Sequence, residues 1–170
     1  SRFPELNAIQ VMEQLRVTSD DIYQIAQNMN YEGKLGKGRL NVQRALSDIL
    51  TPSVRLSDYH YQSNHGNMIF PGDTVEISLE FTNYLRQAEN LTISIGSVGS
   101  MVDLQTEDIY ISSLPTFDTY VNEEQPITFI VKEETPPGER LFFRIDFLGN
   151  FYKDFQYFEI PLTPDYFDIS

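Results

Sequence analysis

The spacing of hydrophobic residues changes near Pro52, and this change divides the chain. Before Pro52, apolar residues recur every three or four positions, as they do on one face of a helix. After it, they alternate with polar residues, as they do in strands that bury one face. We therefore expect a helical segment over residues 1–50, a β-domain over 51–163, and a tail or linker over 164–170.

The first helix is predicted to begin after Asn7, which can form a capping pair with Gln10, and to fade near Val17. Its apolar side chains should form one face, and its polar side chains should point away from that face. The apolar set is Ala8, Val11, Met12 and Leu15, with Ile9 at its edge, and the polar set is Glu13, Gln14 and Arg16.

A less regular stretch separates this helix from a second one. A short helical turn over 22–29 is followed by a polar loop to Gly38. Within that loop, Gly36 and Gly38 indicate a tight crossing of the chain. Asn41 is a favourable N-cap and predicts a helix over 42–50, which the Thr-Pro pair after it ends because proline disfavours helix in the preceding residue.

About seven short strands are predicted after Pro52, separated by turns rich in Gly, Pro and Asn. Their number and spacing indicate a mainly β fold, an antiparallel β-sandwich of the immunoglobulin-like or fibronectin-like type. The predicted strands cover 54–61, 75–81, 91–95, 109–114, 127–131, 141–147 and 158–162.

The chain is rich in aromatic residues, with ten Tyr and twelve Phe. Most Phe side chains fall on the inward register of a predicted strand, so we assign them to the core. Phe142, and Phe155 or Tyr157, fall on the outward register instead. A cluster of exposed aromatic side chains indicates that something covers it.

Composition excludes several classes of function. The net charge is −13, and so few dispersed cations cannot form the basic patch that nucleic acid requires. There is no cysteine, which excludes a disulfide framework, a thiolate zinc site and a cysteine nucleophile. No run of 18 apolar residues is present, so no transmembrane segment is expected.

No catalytic, cofactor-binding or metal-binding residue is predicted, although four groups of residues suggest one at first sight. The glycine-rich loop lacks the Gly-Lys-Ser/Thr end of a phosphate-binding loop. The two histidines lie around a polar loop and specify no metal geometry, and the paired glutamates point to opposite faces of a strand. Three acidic residues lack the spacing of a calcium loop. These groups are Gly33 to Leu40; Asp58, His60 and His65; Glu123-Glu124 and Glu133-Glu134; and Asp20, Asp21 and Glu32.

Three segments of the first fifty residues resemble the C-terminal end of a subtilisin-like serine protease (subtilase) domain. Residues 3–7, Phe-Pro-Glu-Leu-Asn, resemble the start of the helix that follows the nucleophile helix. Residues 15–20, Leu-Arg-Val-Thr-Ser-Asp, resemble the family's Leu…Thr-Ala-Asp turn, with Ser19 where Ala is usual. Residues 36–41, Gly-Lys-Gly-Arg-Leu-Asn, followed by Arg-Ala-Leu, resemble the family's closing element.

This resemblance implies a function that the chain does not perform alone. From about Ser53 the chain is similar, more loosely, to the sandwich that follows the protease domain in many secreted bacterial subtilases. The family's Asp, His and Ser triad lies upstream of the matching part, so none of its catalytic residues falls on this chain. The resemblance implies a non-catalytic C-terminal region of a secreted or cell-surface serine endopeptidase, with the missing catalytic domain as its partner.

Two other functions stay open at this point. The sandwich can be a carbohydrate-binding or adhesive module, since tyrosine rings can stack on sugars. The chain can also be an enzyme in its own right, although the residues present argue against it.

The resemblance also implies that the helical segment has lost its natural cover. In a subtilase, these helices lay their apolar faces on a large parallel sheet. We therefore expect the segment to be helical and buried against the sandwich, against another copy in a homodimer, or both. The side chains in question are Val11, Met12, Leu15, Leu40, Leu46 and Ile49.

Overall fold

The computed structural model describes residues 2–164 and places two antiparallel sheets after an N-terminal helical segment. The tail or linker predicted over 164–170 lies, apart from its first residue, outside the described residues. The strands are β1 (Val54–Ser63), β2 (Thr74–Asn83), β3 (Ala88–Val98), β4 (Val102–Gln105), β5 (Ile109–Leu114), β6 (Thr119–Val121), β7 (Ile127–Val131), β8 (Arg140–Gly149) and β9 (Tyr152–Pro161).

The two sheets face each other across one hydrophobic core. The first has the order β1-β2-β7-β4, with β6 also paired to β2, and the second has the order β5-β3-β8-β9. Alternate residues of the long strands point inward, which confirms the predicted sandwich and the assignment of most Phe residues to the core. Phe81, Phe129, Phe143 and Phe147 are all fully buried there.

The sandwich contains more strand than the sequence pattern predicts. The strands β4 and β6 have four and three residues, which is too short for a visible alternation. The last strand begins at Tyr152, well before the predicted start at residue 158. Its first inward positions hold Tyr152 and Asp154, and because these are polar they hide the alternation of a half-buried strand.

The N-terminal segment is helical, as predicted, but its second helix is shorter. Helix α1 (Ala8–Val17) begins with the expected capping box between Asn7 and Gln10. A 3-10 helix (Ala26–Tyr31) replaces the turn predicted over 22–29. Helix α2 (Val42–Ser47) ends three residues early, because the Asp48 carboxylate accepts hydrogen bonds from the backbone N–H groups of the residues that would continue it.

The crossing predicted at the glycine pair is present at Gly38. Asp20 and Arg39 form a two-way backbone bridge, with N–H to carbonyl distances of 2.8 and 2.9 Å. At Gly38 φ is +130°, and a Cβ atom there would lie 2.0 Å from the carbonyl oxygen of Asp20. Only glycine allows the two chains to approach so closely.

One open side of the sandwich is closed by side chains. The Gln156 side chain of β9 bonds the backbone N–H and carbonyl of Leu56 at 3.0 and 3.3 Å. The Tyr152 hydroxyl bonds the backbone of Val54 in the same way. These contacts join edge strand β1 to edge strand β9, and the helical segment lies at this side.

Candidate functional site: the helical arm and its joint with the sandwich

We call residues 2–50 the helical arm, and its first contact with the sandwich is made by the polar side of α1. Gln10 and Gln14 are among the buried residues of this helix, together with Val17. The Gln10 amide donates to the carbonyl oxygen of Tyr84 at 3.1 Å. The Gln14 amide donates to the carbonyls of Ala45 and, at 2.7 Å, of the residue that caps α2. Gln14 belongs to the polar set of α1, and it is buried against α2 instead of facing solvent.

The strongest joint between arm and sandwich is a buried group of charges around Asp154 of β9, which is 1% exposed. Arg16 of α1 approaches one carboxylate oxygen at 2.7 Å, and Lys37 approaches the other at 2.9 Å. Arg16 also bonds Glu13 and, at 2.9 Å, the hydroxyl of Ser53. Two separate parts of the arm, α1 and the loop before α2, are thus tied to one carboxylate of the sandwich.

Electrostatics keep this group charged. Burial favours the neutral acid, but the positive charges of Arg16 and Lys37 outweigh it and hold the pKa of Asp154 below its ordinary value. Burial, together with the negative charge of Asp154, raises the pKa of Tyr152 well above its ordinary value, so that the phenol stays protonated. That hydroxyl lies 3.1 Å from Asp154 and completes its hydrogen bonding.

Arm residues on both sides of the 3-10 helix cover the outward aromatic residues of β9. Tyr23 packs edge-on against Phe155, with 6.2 Å between ring centroids. Gly33 lies against the Tyr157 ring so closely that an added Cβ atom would be 2.4 Å from its hydroxyl oxygen. Phe142 stays 46% exposed. The prediction that something covers the outward aromatics is therefore confirmed for the two in β9 and wrong for Phe142, which these residues do not reach.

Arg144 of β8 fastens the loop after the 3-10 helix. Its guanidinium bonds Glu32 of the loop at 2.9 Å and Asp146 of its own strand at 2.8 Å. It also lies over the rings of Phe155 and Tyr157, at 5.2 and 5.8 Å from their centroids. Because the two β9 rings are covered by the loop and by a cation, they do not form an open platform for a sugar.

The apolar side of the arm faces outward. The six side chains that we expect to need cover are between 36% and 63% exposed, so the expectation that the sandwich buries them is wrong. The physical reason is that the docked side of α1 is its polar side. Ile9 and Val42 extend the outward face, and a groove of about 120 Å³ opens beside it, lined by Phe3, Leu6, Val11, Leu15, Ala45 and Leu46 among others.

The other candidate residues from the sequence are not brought together. His60 lies 3.7 Å from Asp58, whereas His65 bonds Asp73, so the two histidines have different carboxylate partners. Within residues 2–164, no three His, Cys, Asp or Glu side chains are arranged to hold a metal ion. Asp20 is used by the crossing, where it bonds Arg39 and the side chain of Asn41.

The residues of the joint carried a weak signal in the sequence. Gln10 and Gln14 are four positions apart and so share one side of a helix, which marks a polar stripe. Asp154 lies on the inward register of its strand, where a charged residue needs a partner. The sequence does not reveal that these partners are Arg16 and Lys37, since more than a hundred residues separate them from β9.

Comparison with known proteins supports the fold. No family model and no curated protein matches the chain. Among solved structures, it is similar to native alpha-2-macroglobulin from Escherichia coli, in a fragment spanning domain MG7 to the C-terminus. The TM-score is 0.50 at 13% sequence identity, and the match covers 69% of this chain and 17% of that chain, a small part of its length.

Fold and comparison together define the structural class. The protein is a mainly β, immunoglobulin-like antiparallel sandwich with a helical segment at its N-terminal side. No helix in the described part of the chain is long enough to cross a membrane.

Proposed function

We propose that this chain is the non-catalytic C-terminal region of a secreted or cell-surface subtilisin-like serine endopeptidase. In this proposal, the sandwich holds the last helices of the catalytic domain in position. The observation that carries it is the orientation of α1, whose polar side is bonded to the sandwich while its apolar side is open. Because the arm resembles the end of a subtilase domain, the proposed contact of this open side is the parallel sheet of the catalytic domain.

The energetics of the open face support a permanent cover. Burying one large apolar side chain contributes roughly 1.5–3 kcal/mol, so six half-exposed side chains represent several kcal/mol of unused stabilisation. A helix of ten residues is only marginally stable in water without tertiary contacts. Here the polar contacts with the sandwich stabilise α1, and its apolar face is left exposed for a partner. This arrangement fits a helix that lies between two bodies.

The distribution of charge also favours the arm as the contact surface. Residues 1–50 contain six Lys or Arg and six Asp or Glu, so the whole net charge of −13 lies on residues 51–170. A partner can therefore cover the neutral arm without approaching the acidic sandwich. In the proposed parent, that partner is the parallel sheet of the catalytic domain.

Extending the chain upstream tests the proposal. We expect a Gly-Thr-Ser-x-Ala-x-Pro segment to precede Ser1 in the coding sequence. The extended protein should hydrolyse casein in a manner that a serine-directed inhibitor blocks, whereas the present chain should show no such activity. An upstream region without a serine protease domain, or inhibitor-sensitive hydrolysis by the present chain, would refute the proposal.

When the catalytic domain is absent, we propose that two copies pair through their neutral arms. Pairing two identical apolar faces buries both and keeps the acidic sandwiches apart. Sedimentation should then show a concentration-dependent dimer that Met12→Ser together with Leu46→Ser dissociates. The matched pair Leu148→Ser and Phe142→Ser, exposed on the sandwich, should leave the dimer intact. Equal loss of the dimer in both double variants would contradict pairing through the arm.

A further inference from the structure

Among the described residues 2–164, one edge strand of useful length has no backbone segment along its outer side. Edge strands β1 and β9 are joined by side chains, and Lys37 of the arm also bonds the backbone carbonyl of Lys153 in β9. In the first sheet, β4 and β6 are only four and three residues long. That leaves β5, with six residues, which pairs with β3 on one side only.

The composition of β5 does nothing to block pairing. Its sequence, Ile-Tyr-Ile-Ser-Ser-Leu, contains neither proline nor a charged residue. Natural sheets usually protect an edge with charges, proline, a bulge or a covering segment. Within residues 2–164, no backbone hydrogen bond reaches the outer side of this strand. Tyr110 and Ser112 of this strand have exposed side chains.

An acidic cleft lies at the start of this edge. It has a volume of about 420 Å³ and opens between the connection from β4 to β5 and the turn before β7. Glu107 and Asp108 line it, both are exposed, and neither forms an ion pair within the described residues. Gln125 and Pro126 form its other wall. The cleft therefore offers negative charge beside the free backbone groups of β5.

We propose that β5 binds an extended, basic segment of a partner protein. The segment adds a strand to the second sheet through main-chain hydrogen bonds, as in other cases of strand addition. A Lys or Arg of the segment enters the cleft and meets Glu107 and Asp108, which fixes the register. A second copy of this chain is a poor occupant, because each sandwich carries the full charge of −13. This proposal does not depend on the subtilase assignment.

The test uses the full chain and the peptide Lys-Val-Thr-Lys-Val-Thr-Lys-Val as probe. Binding is followed by two-dimensional NMR of the ¹⁵N-labelled protein, with fluorescence anisotropy of a labelled peptide for affinity. We expect shifts of the amide signals of residues 109–114. Replacing each Lys of the peptide by Glu should abolish binding, and methylating alternate backbone nitrogens should do the same, because strand addition needs both charge and backbone donors.

Two matched protein variants separate the cleft from general electrostatics. Glu107→Lys with Asp108→Lys should weaken binding about tenfold or more, as expected for a lost charge contact. Glu133→Lys with Glu134→Lys changes the net charge equally at another exposed turn and should alter affinity less than about twofold. Far-ultraviolet circular dichroism checks that both variants are folded.

Any of four results would overturn the proposal. The first is that millimolar peptide shifts no signal in β5, and the second is that the shifts map to another edge. The third is that both double variants weaken binding equally, which would indicate non-specific attraction to an acidic protein. A concentration-dependent dimer whose interface signals are those of β5 would assign the edge to a second copy and would also contradict the proposed partner.

Discussion

Asp154 shows how one residue can join two parts of a protein. Its carboxylate is buried on the inner register of β9 and is shared by Arg16 from α1 and Lys37 from the loop. A buried ion pair adds little net stability, because desolvation offsets the attraction. Removing one partner is different, since it leaves an uncompensated buried charge. Asp154 therefore matters chiefly for where the arm sits.

Asp154→Asn should release the arm and destabilise the protein. Losing the shared carboxylate leaves Lys37 without its ion-pair partner and Arg16 with Glu13 alone, which costs about 3 kcal/mol for a buried group of charges. Urea unfolding measures this change in the free energy of unfolding. Asp146→Asn is the control, because that carboxylate pairs with Arg144 at a half-exposed position. Equal effects of the two substitutions would show that Asp154 has no special role.

The same residue predicts how stability depends on pH. The folded protein holds the pKa of Asp154 below its ordinary value of 3.8, so folding favours the charged form. Its contribution is therefore fully present above pH 3.8 and is lost as pH falls from there through the lower, folded pKa. Urea unfolding of the wild type and of Asp154→Asn should give curves that converge in acid. A constant gap between them down to pH 2 would contradict this assignment.

At the scale of elements, the loop from Glu32 to Gly38 is held on β9 by shape as well as charge. Gly33→Ala should detach it, because φ is +75° there and the new methyl group would overlap Tyr157. We expect faster hydrogen exchange in the loop. We also expect the free energy of unfolding to fall by about 1–3 kcal/mol. Gly36→Ala is the matched control, since φ is +62° but nothing lies within 4 Å of the added Cβ atom. If both variants exchange alike, backbone strain alone explains the effect.

The elements also show what sequence reasoning can and cannot reach. The capping box, α1 and the long strands follow from local patterns, and these patterns place the core Phe residues correctly. The orientation of α1 does not follow, because an apolar face is normally taken to be the buried one. Here the buried side is decided by Arg16 and its distant partner Asp154. The early end of α2 does not follow from local patterns either, since it depends on the side chain of Asp48.

At the scale of the whole molecule, the sandwich holds its own core and the arm adds a joint. A shortened chain of residues 51–164 should therefore melt cooperatively. It should be less stable than the full chain, because removing the arm removes Arg16 and Lys37 and leaves the Asp154 carboxylate without these two ion-pair partners. In the shortened chain, Asp154→Asn should then be neutral or stabilising, the reverse of its effect in the full chain. A shortened chain without a cooperative transition would contradict an independent sandwich.

The molecule has two surfaces of different chemistry. The arm is neutral and apolar on its outer side, whereas the sandwich is acidic and exposes the uncharged edge strand β5. Partners of different chemistry are expected at these two places, a large apolar surface at the arm and an extended basic segment at β5. The two sites use no residue in common, so variants at one should leave binding at the other unchanged.

The most direct test of the central claim is the rate at which hydrogen peroxide oxidises Met12. Its side chain lies on the outer face of α1 and is 63% exposed, compared with 51% for Met68 on the sandwich. In the dilute present chain, the two methionines should oxidise at similar rates. In the extended protein with its upstream domain, Met12 should oxidise about tenfold more slowly while Met68 is unchanged, because the apolar face is then covered. If Met12 is already protected in the dilute monomer, or is oxidised equally fast in the extended protein, the arm is not the docking surface proposed here.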